Sequence, residues 1–207
     1  MKPTLLTAAA IVLTGGIAGC ASLSDAELAR QAADIMRASF KERGQAKLDR
    51  LNQDAPQAVC SLDDPAKKPP VADLERMEKA QQALIKYPAD GRLLGDWREG
   101  EKIAQSGVGK QFSDNPANPS GGNCYACHQM SPQEISFGTI GPPLLHYGKL
   151  RGNSEAIQRY TYGKIYNPQA FTACSNMPRF GHNGILTEQQ IKHLTALLLD
   201  PSSPVNR

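Results

Sequence analysis

The segment Cys124-Tyr125-Ala126-Cys127-His128 is the most informative stretch of this 207-residue chain. Two thiols separated by two residues can each form a thioether bond to a haem vinyl group, and a histidine directly after the second thiol reaches the iron. Without this histidine, a Cys-x-x-Cys pair would leave zinc binding or thiol redox chemistry open. The chain has no second Cys-x-x-Cys pair. The segment therefore predicts one covalently bound haem c, held by Cys124 and Cys127, with His128 as an axial ligand.

The ligand on the other side of the iron separates an electron carrier from a haem with an open site. The candidates are Met130, Met177, His146, His182 and His193. Met130 is two residues from His128 and would lie on the same side of the iron. Met177 stands in Asn176-Met177-Pro178, well after the motif, and a thioether ligand favours reduced iron. We predict His128 and Met177 as the axial ligands. A plain core methionine is the alternative for Met177, and His182 is its nearest competitor in sequence.

The first residues have the pattern of an export signal. A lysine precedes an apolar stretch from Leu5 to Ile17, which is too short to span a membrane. The stretch ends in Ile17-Ala18-Gly19-Cys20, which resembles a bacterial lipobox, where cleavage precedes a cysteine that is then lipidated. An ordinary signal peptide cut near Ala21 is the alternative. We predict a signal peptide over residues 1–19 and a periplasmic mature chain that meets the membrane only through a lipid on Cys20.

The chain has five cysteines. Once Cys20 is assigned to the signal and two cysteines to the haem, Cys60 and Cys174 remain in an oxidising compartment, where the simplest account is a disulfide. It would close a loop of about 110 residues, for which chain entropy gives up to about 4–5 kcal/mol. Two separately buried thiols are the alternative.

Charge excludes one class of function. The formal net charge is +3, and no basic run with interleaved aromatic residues is present. A net charge this small does not indicate a basic surface that binds nucleic acid. We therefore predict that the chain does not bind nucleic acid.

Hydrophobic spacing predicts helices and no long strand. The helical patterns cover residues 24–58 with an interruption at Gly44, then 71–86, 95–106 and 153–162, and a last helix from Thr187 to Asp200. Ser24 and Glu27 have the spacing of a capping box. The predicted domains are a signal peptide (1–19), a helical N-terminal extension (20–91) and a second domain (92–207).

Several motifs resemble class I cytochromes c and occur in that family's order. They are Gly95–Glu101, Cys124–His128, Gly141-Pro142-Pro143-Leu144, Asn176-Met177-Pro178 and the Leu-Thr-Glu start of the last helix. The resemblance implies an all-α class I cytochrome c domain, preceded by the N-terminal helical extension. It also implies that the Pro142 carbonyl accepts a hydrogen bond from His128, and that two helices cross at Gly100, near Leu194.

A closer resemblance involves the N-terminal region. The segment Asp49-Arg50-Leu51-Asn52-Gln53-Asp54, then Cys60 and the long loop before the haem motif, are similar to the SoxX family. These are the mono-haem subunits of the SoxAX cytochromes of bacterial sulfur oxidation. The resemblance implies a heterodimer with a SoxA-like cytochrome subunit and a part in the L-cysteine S-thiosulfotransferase reaction. In that reaction thiosulfate is joined oxidatively to a cysteine of the carrier SoxYZ.

The same resemblance implies different roles for the two subunits. The reacting haem belongs to SoxA, so no catalytic residue is expected on this chain. The chain would relay electrons from the SoxA haem to a soluble cytochrome c. A stand-alone periplasmic electron carrier and an open-site haem enzyme such as a peroxidase are the alternatives. A lone shuttle rarely needs the residues before Arg92, whose amphipathic helices can cover an apolar face of a partner or pack on their own chain.

Overall fold

The computed structural model describes residues 23–62 and 69–207. The helices in these residues are α1 (Asp25–Ser39), α2 (Ala55–Cys60), α3 (Val71–Gln82), α4 (Trp97–Gln105), α5 (Tyr147–Arg151), α6 (Glu155–Tyr166) and α7 (Glu188–Leu199). Within the described ranges there is no β-strand, only an isolated bridge between Arg43 and Ala46. The all-α prediction is confirmed for this part of the chain. The predicted signal peptide and Cys20 lie outside the described residues.

The chain divides into two units, Met1–Phe40 and Lys41–Arg207. In the first unit, the Ser24 hydroxyl accepts a hydrogen bond from the Glu27 amide at the start of α1. No residue of α1 is buried. Its larger apolar side chains are exposed, namely Leu28, Ile35 and Met36. The predicted boundary between residues 91 and 92 falls inside the second unit.

The segment after α1 is less helical than the predicted pattern over 24–58, which is interrupted only at Gly44. Residues 40–47 are not helical, a short 3-10 turn covers Leu48–Leu51, and α2 begins only at Ala55. Gly44 has a φ of +52°, and a Cβ there would overlap the carbonyl oxygen of Phe112. The Arg50 guanidinium donates to the carbonyl oxygen of Lys110 at 2.6 Å. Long-range contacts with the loop around residue 111 thus override the local helical pattern.

The core of the second unit forms where α4 crosses α7. A Cβ on Gly100 would overlap the carbonyl oxygen of His193, so only glycine lets the two backbones approach this closely. Ile191 and Leu197 on α7 are fully buried. Thr187 and Gln190 form the capping box that starts α7. The crossing implied at Gly100 is therefore present.

Two other helices end at different residues from those predicted. Helix α3 ends at Gln82 and not at Lys86, and α6 continues to Tyr166, beyond Tyr162. Gly163 lies within α6, and a Cβ there would lie 2.9 Å from both the Phe171 ring and the Tyr87 hydroxyl. In the described ranges, no helix combines the length and the apolar character needed to cross a bilayer.

Candidate functional site

The haem motif forms a short turn. Residues Cys124–Ala126 make one 3-10 turn, and the His128 amide donates to the Cys124 carbonyl oxygen at 2.9 Å. Cys124 and Cys127 are free thiols and are not bonded to each other. Burial raises the pKa of the Cys124 thiol to about 12.

A second segment lies along the motif and is fixed to it by its backbone. The amides of Gly138, Gly141 and Leu144 donate to the carbonyl oxygens of Tyr125, Cys127 and Gln129, at 2.8, 2.8 and 2.7 Å. A Cβ on Gly138 would overlap the Ala126 carbonyl. The glycine is therefore required for this close approach of two backbones.

The same segment orients His128. Its Nδ1 lies 2.7 Å from the carbonyl oxygen of Pro142. A carbonyl oxygen can only accept, so Nδ1 carries a proton and donates it to Pro142. Among the described residues, no hydrogen bond engages Nε2. Gly141 lies against the ring, and a Cβ there would overlap it. His128 is thus oriented so that Nε2 is the ring nitrogen left to bind a metal.

These residues fit a covalently bound haem c. A haem c needs two unpaired thiols for its thioether bonds and an imidazole with a free Nε2 for its iron, and all three are present here. In the described part of the chain, no group of three or more His, Cys, Asp or Glu side chains is placed to hold a metal ion.

The candidates for the other axial ligand occupy different surroundings. Met177 is partly buried and packs against the main core, whereas Met130 is inside that core and 2% exposed. His193 is engaged through both ring nitrogens, since Nδ1 accepts from the Asp96 amide at 2.8 Å and Nε2 lies 3.1 Å from the Gln189 amide nitrogen. His193 therefore joins the start of α4 to α7 and is not available to iron.

The contacts of the two remaining candidates, His146 and His182, leave both available as ligands of the iron. His146 lies directly before α5 with a φ of +56°, and its buried Nδ1 has no hydrogen-bond partner. His182 is half-buried. Burial, and then the positive charge of Arg179, lower the pKa of His182. Met177 as the axial ligand stays a prediction.

Cys60 and Cys174 form a disulfide, which joins residues 114 positions apart. Beside it lies a cavity of about 380 Å³. Its lining includes both half-cystines, Met177 and Arg179, together with polar side chains from Gln53, Gln57, Ser61, Gln169, Ser175, Asn176 and Asn183. The disulfide predicted from the cysteine count is therefore present, and its second cysteine lies shortly before Met177 in the chain.

Sequence reasoning missed an ion pair at this cavity. Arg179 is 6% exposed and lies 2.7 Å from an Asp54 carboxylate oxygen. Burial tends to raise the pKa of Asp54, but a hydrogen bond from the Gln57 backbone amide and the adjacent positive charge of Arg179 bring it below its usual value. The only local signal at Asp54 is its capping spacing to Gln57, which gives no hint of Arg179 because the pair is distant in sequence.

A relative covers nearly the whole chain. An uncharacterized lipoprotein of Aquifex aeolicus (strain VF5) is 36% identical over 208 residues, or 96% of this chain and 97% of the relative. No family model matches the chain.

One solved structure shows a weak likeness. The crystal structure of SoxXA from P. pantotrophus is 27% identical with a TM-score of 0.36, covering 52% of this chain and 82% of that chain. A TM-score this low does not establish a shared fold. The alignment to the Aquifex protein, in contrast, is long and spans both chains. The chain therefore belongs to the same family as the Aquifex lipoprotein.

Proposed function

We propose that this chain is the haem electron-transfer subunit of a periplasmic, thiosulfate-oxidising SoxAX-type complex, an L-cysteine S-thiosulfotransferase. The observation that carries the haem assignment is the hydrogen bond from His128 Nδ1 to Pro142 beside two free thiols. When bound, a haem c supplies one-electron redox chemistry. Cys124 and Cys127 would hold it covalently, and His128 and Met177 would be its axial ligands.

The chain's own residues set the character of this site. The Pro142 carbonyl fixes the tautomer of His128 and makes Nε2 a stronger donor. Gly141 leaves room for the ring in this orientation. A Met177 thioether would close the remaining axial position and favour the reduced state. With His128 and Met177 holding it, the haem would serve electron transfer, and Met177 would keep substrate away from it.

The partners follow from the resemblance to the SoxX family. The chain would take electrons from a SoxA-like subunit and pass them to a soluble cytochrome c, while SoxYZ would react on the partner only. The exposed apolar side chains of α1 support such a partner, since an apolar stripe on a helix is a surface that another chain can cover. The Aquifex lipoprotein supports a lipid on Cys20.

The axial assignment predicts a specific spectroscopic loss. A Met177→Ala variant will lose the weak far-red charge-transfer band of methionine-ligated ferric haem, because its iron has no thioether ligand. The absorption spectrum of the oxidised protein measures this. Met130→Leu is the matched control, since it replaces a buried methionine by a residue of similar volume and will keep the band. A Met177→Ala protein with the full band would show that another side chain is the ligand.

The partner assignment predicts co-purification of a second haem protein. The chain, tagged and expressed in its native host, will bring down a partner that stains for covalent haem on a denaturing gel. Ile35→Glu, on the apolar stripe of α1, will abolish this, since it places a charge in an apolar contact. Arg37→Gln is the control, since it lies on the opposite side of α1 from Ile35 and changes the net charge by the same one unit. A wild-type chain that elutes alone as a monomer would favour the stand-alone carrier instead.

A further inference from the structure

The loop from Asn167 to Arg179, which we call the Met177 loop, is fastened by residues that precede the haem motif. The Glu78 carboxylate on α3 accepts a hydrogen bond from the Ala173 amide at 2.7 Å. The disulfide then attaches the next residue, Cys174, to Cys60 at the end of α2. A covalent link and a charge-assisted hydrogen bond thus reach two consecutive residues of the loop.

Further links hold both ends of the Met177 loop to the same region. They are the ion pair of Arg179 with Asp54, the Gln82 side-chain donation to the Ala170 carbonyl at 2.8 Å, and the Asn167 donation to the Gln81 side chain at 2.9 Å. Asn167 is fully buried, and Gln81 and Arg179 are nearly so. Hydrogen bonds and ion pairs gain strength in such poorly solvated positions.

The middle of the loop has no other attachment of this kind. Among the described residues, no hydrogen bond or covalent link from outside the loop reaches residues 173–176 except those from Glu78 and Cys60. Ser175 bonds only to its loop neighbours, accepting from the Met177 amide at 3.3 Å. Two contacts therefore restrain the stretch of chain that leads directly to Met177.

Packing alone does not fix this stretch. The cavity of about 380 Å³ borders Cys174, Asn176 and Met177, so the loop faces open space on that side. Close-packed neighbours would otherwise hold a side chain in one place. Cys174 also has a φ of +59°, an unfavourable conformation for a residue with a Cβ. The surrounding links must maintain it, and the cavity offers room for the loop to move when they are removed.

We propose that Cys60 and Glu78 are positioning residues that keep the Met177 loop closed and so keep the Met177 thioether on the haem iron. This inference rests on the proposed function, because it concerns the bond between Met177 and iron. Residues before Arg92 then have a task within their own chain. A loop released from these links spends a larger fraction of time open, and the affinity of a competing ligand rises in proportion to that fraction.

Imidazole measures the open fraction, because it competes with Met177 for the ferric iron. The oxidised full-length holoprotein is titrated with imidazole, and loss of the far-red band gives the dissociation constant. Cys60→Ser/Cys174→Ser and Glu78→Ala will each bind imidazole at least about tenfold more tightly than wild type, because the open fraction rises by that factor. Glu78→Gln will retain wild-type affinity, since its amide oxygen still accepts from Ala173.

Two comparisons make the outcome specific. Gly100→Ala strains the α4–α7 crossing and not the loop, so imidazole affinity will stay unchanged; the same tightening there would overturn the inference. Glu78→Ala keeps the disulfide, and it tests the inference even if the double cysteine variant does not fold. Wild-type imidazole affinity in these loop variants would overturn this inference but not the Met177 assignment. A wild-type protein without the far-red band would overturn the Met177 assignment and the inference together.

Discussion

Replacing Cys124 and Cys127 together by serine will abolish covalent haem attachment. A serine hydroxyl does not form the thioether to a haem vinyl group, so no covalent bond remains even with His128 in place. The two thiols are free and lie on one short turn, as double attachment requires. The mass of the mature protein measures the result directly, and haem-dependent peroxidase staining on a denaturing gel gives a second readout.

The control uses the other cysteine pair. Cys60→Ser/Cys174→Ser removes the same number of sulfur atoms but leaves the haem motif intact, and it will keep both the haem mass and the staining. Each single variant, with only Cys124 or only Cys127 replaced, will keep one thioether. Covalent haem in the protein without both motif cysteines would contradict the interpretation of this motif.

Replacing Gly100 by alanine will destabilise the helix crossing. The new Cβ would overlap the His193 carbonyl oxygen and lie 3.0 Å from the Leu197 Cβ, so backbone atoms must move. Overpacking of a close interface costs about 1–3 kcal/mol. Urea denaturation of the holoprotein measures the free energy of unfolding, and the midpoint will fall while the slope stays constant.

Gly107→Ala is the matched control for that change. Its nearest neighbours are side-chain atoms of Asn123, at 3.5 Å and beyond, which is ordinary van der Waals contact. This substitution will leave the free energy of unfolding within about 0.5 kcal/mol of wild type. An equal loss of stability in both variants would show that the close approach at Gly100 is not the cause.

The helices illustrate which elements can be predicted from local sequence. Helix α7 begins after Thr187 and ends before Asp200, as its cap and apolar spacing indicate, because both signals are local. The helical pattern over 24–58, interrupted at Gly44, agrees with α1 up to Ser39 and with α2 from Ala55, but between them only Leu48–Leu51 forms a short 3-10 turn. There the chain is held by Phe112 and Lys110, and no local pattern reports those partners.

The candidate site likewise contains features that the sequence predicts and features that only the fold creates. Cys124, Cys127 and His128 are adjacent in sequence, so their spacing alone predicts the haem. The His128–Pro142 hydrogen bond is implied by the resemblance and is present in the structure. The hydrogen bond from the Asp96 amide to His193 has no sequence signal, because Asp96 is remote in the chain and only folding brings it there.

The sequence by itself therefore determined the haem motif, the helical class and the cysteine pair, since each depends on residues close together or on a count. Only the tertiary structure decided what those features meet. It showed the Nε2 of His128 left free, the Met177 loop fastened to Cys60 and Glu78, and α2 linked to that loop by the disulfide. These are contacts between distant segments, and burial and chain crossing create them where no spacing rule applies. The motif at residues 124–128 predicts a covalently bound haem, and the fold would set how firmly its iron is held.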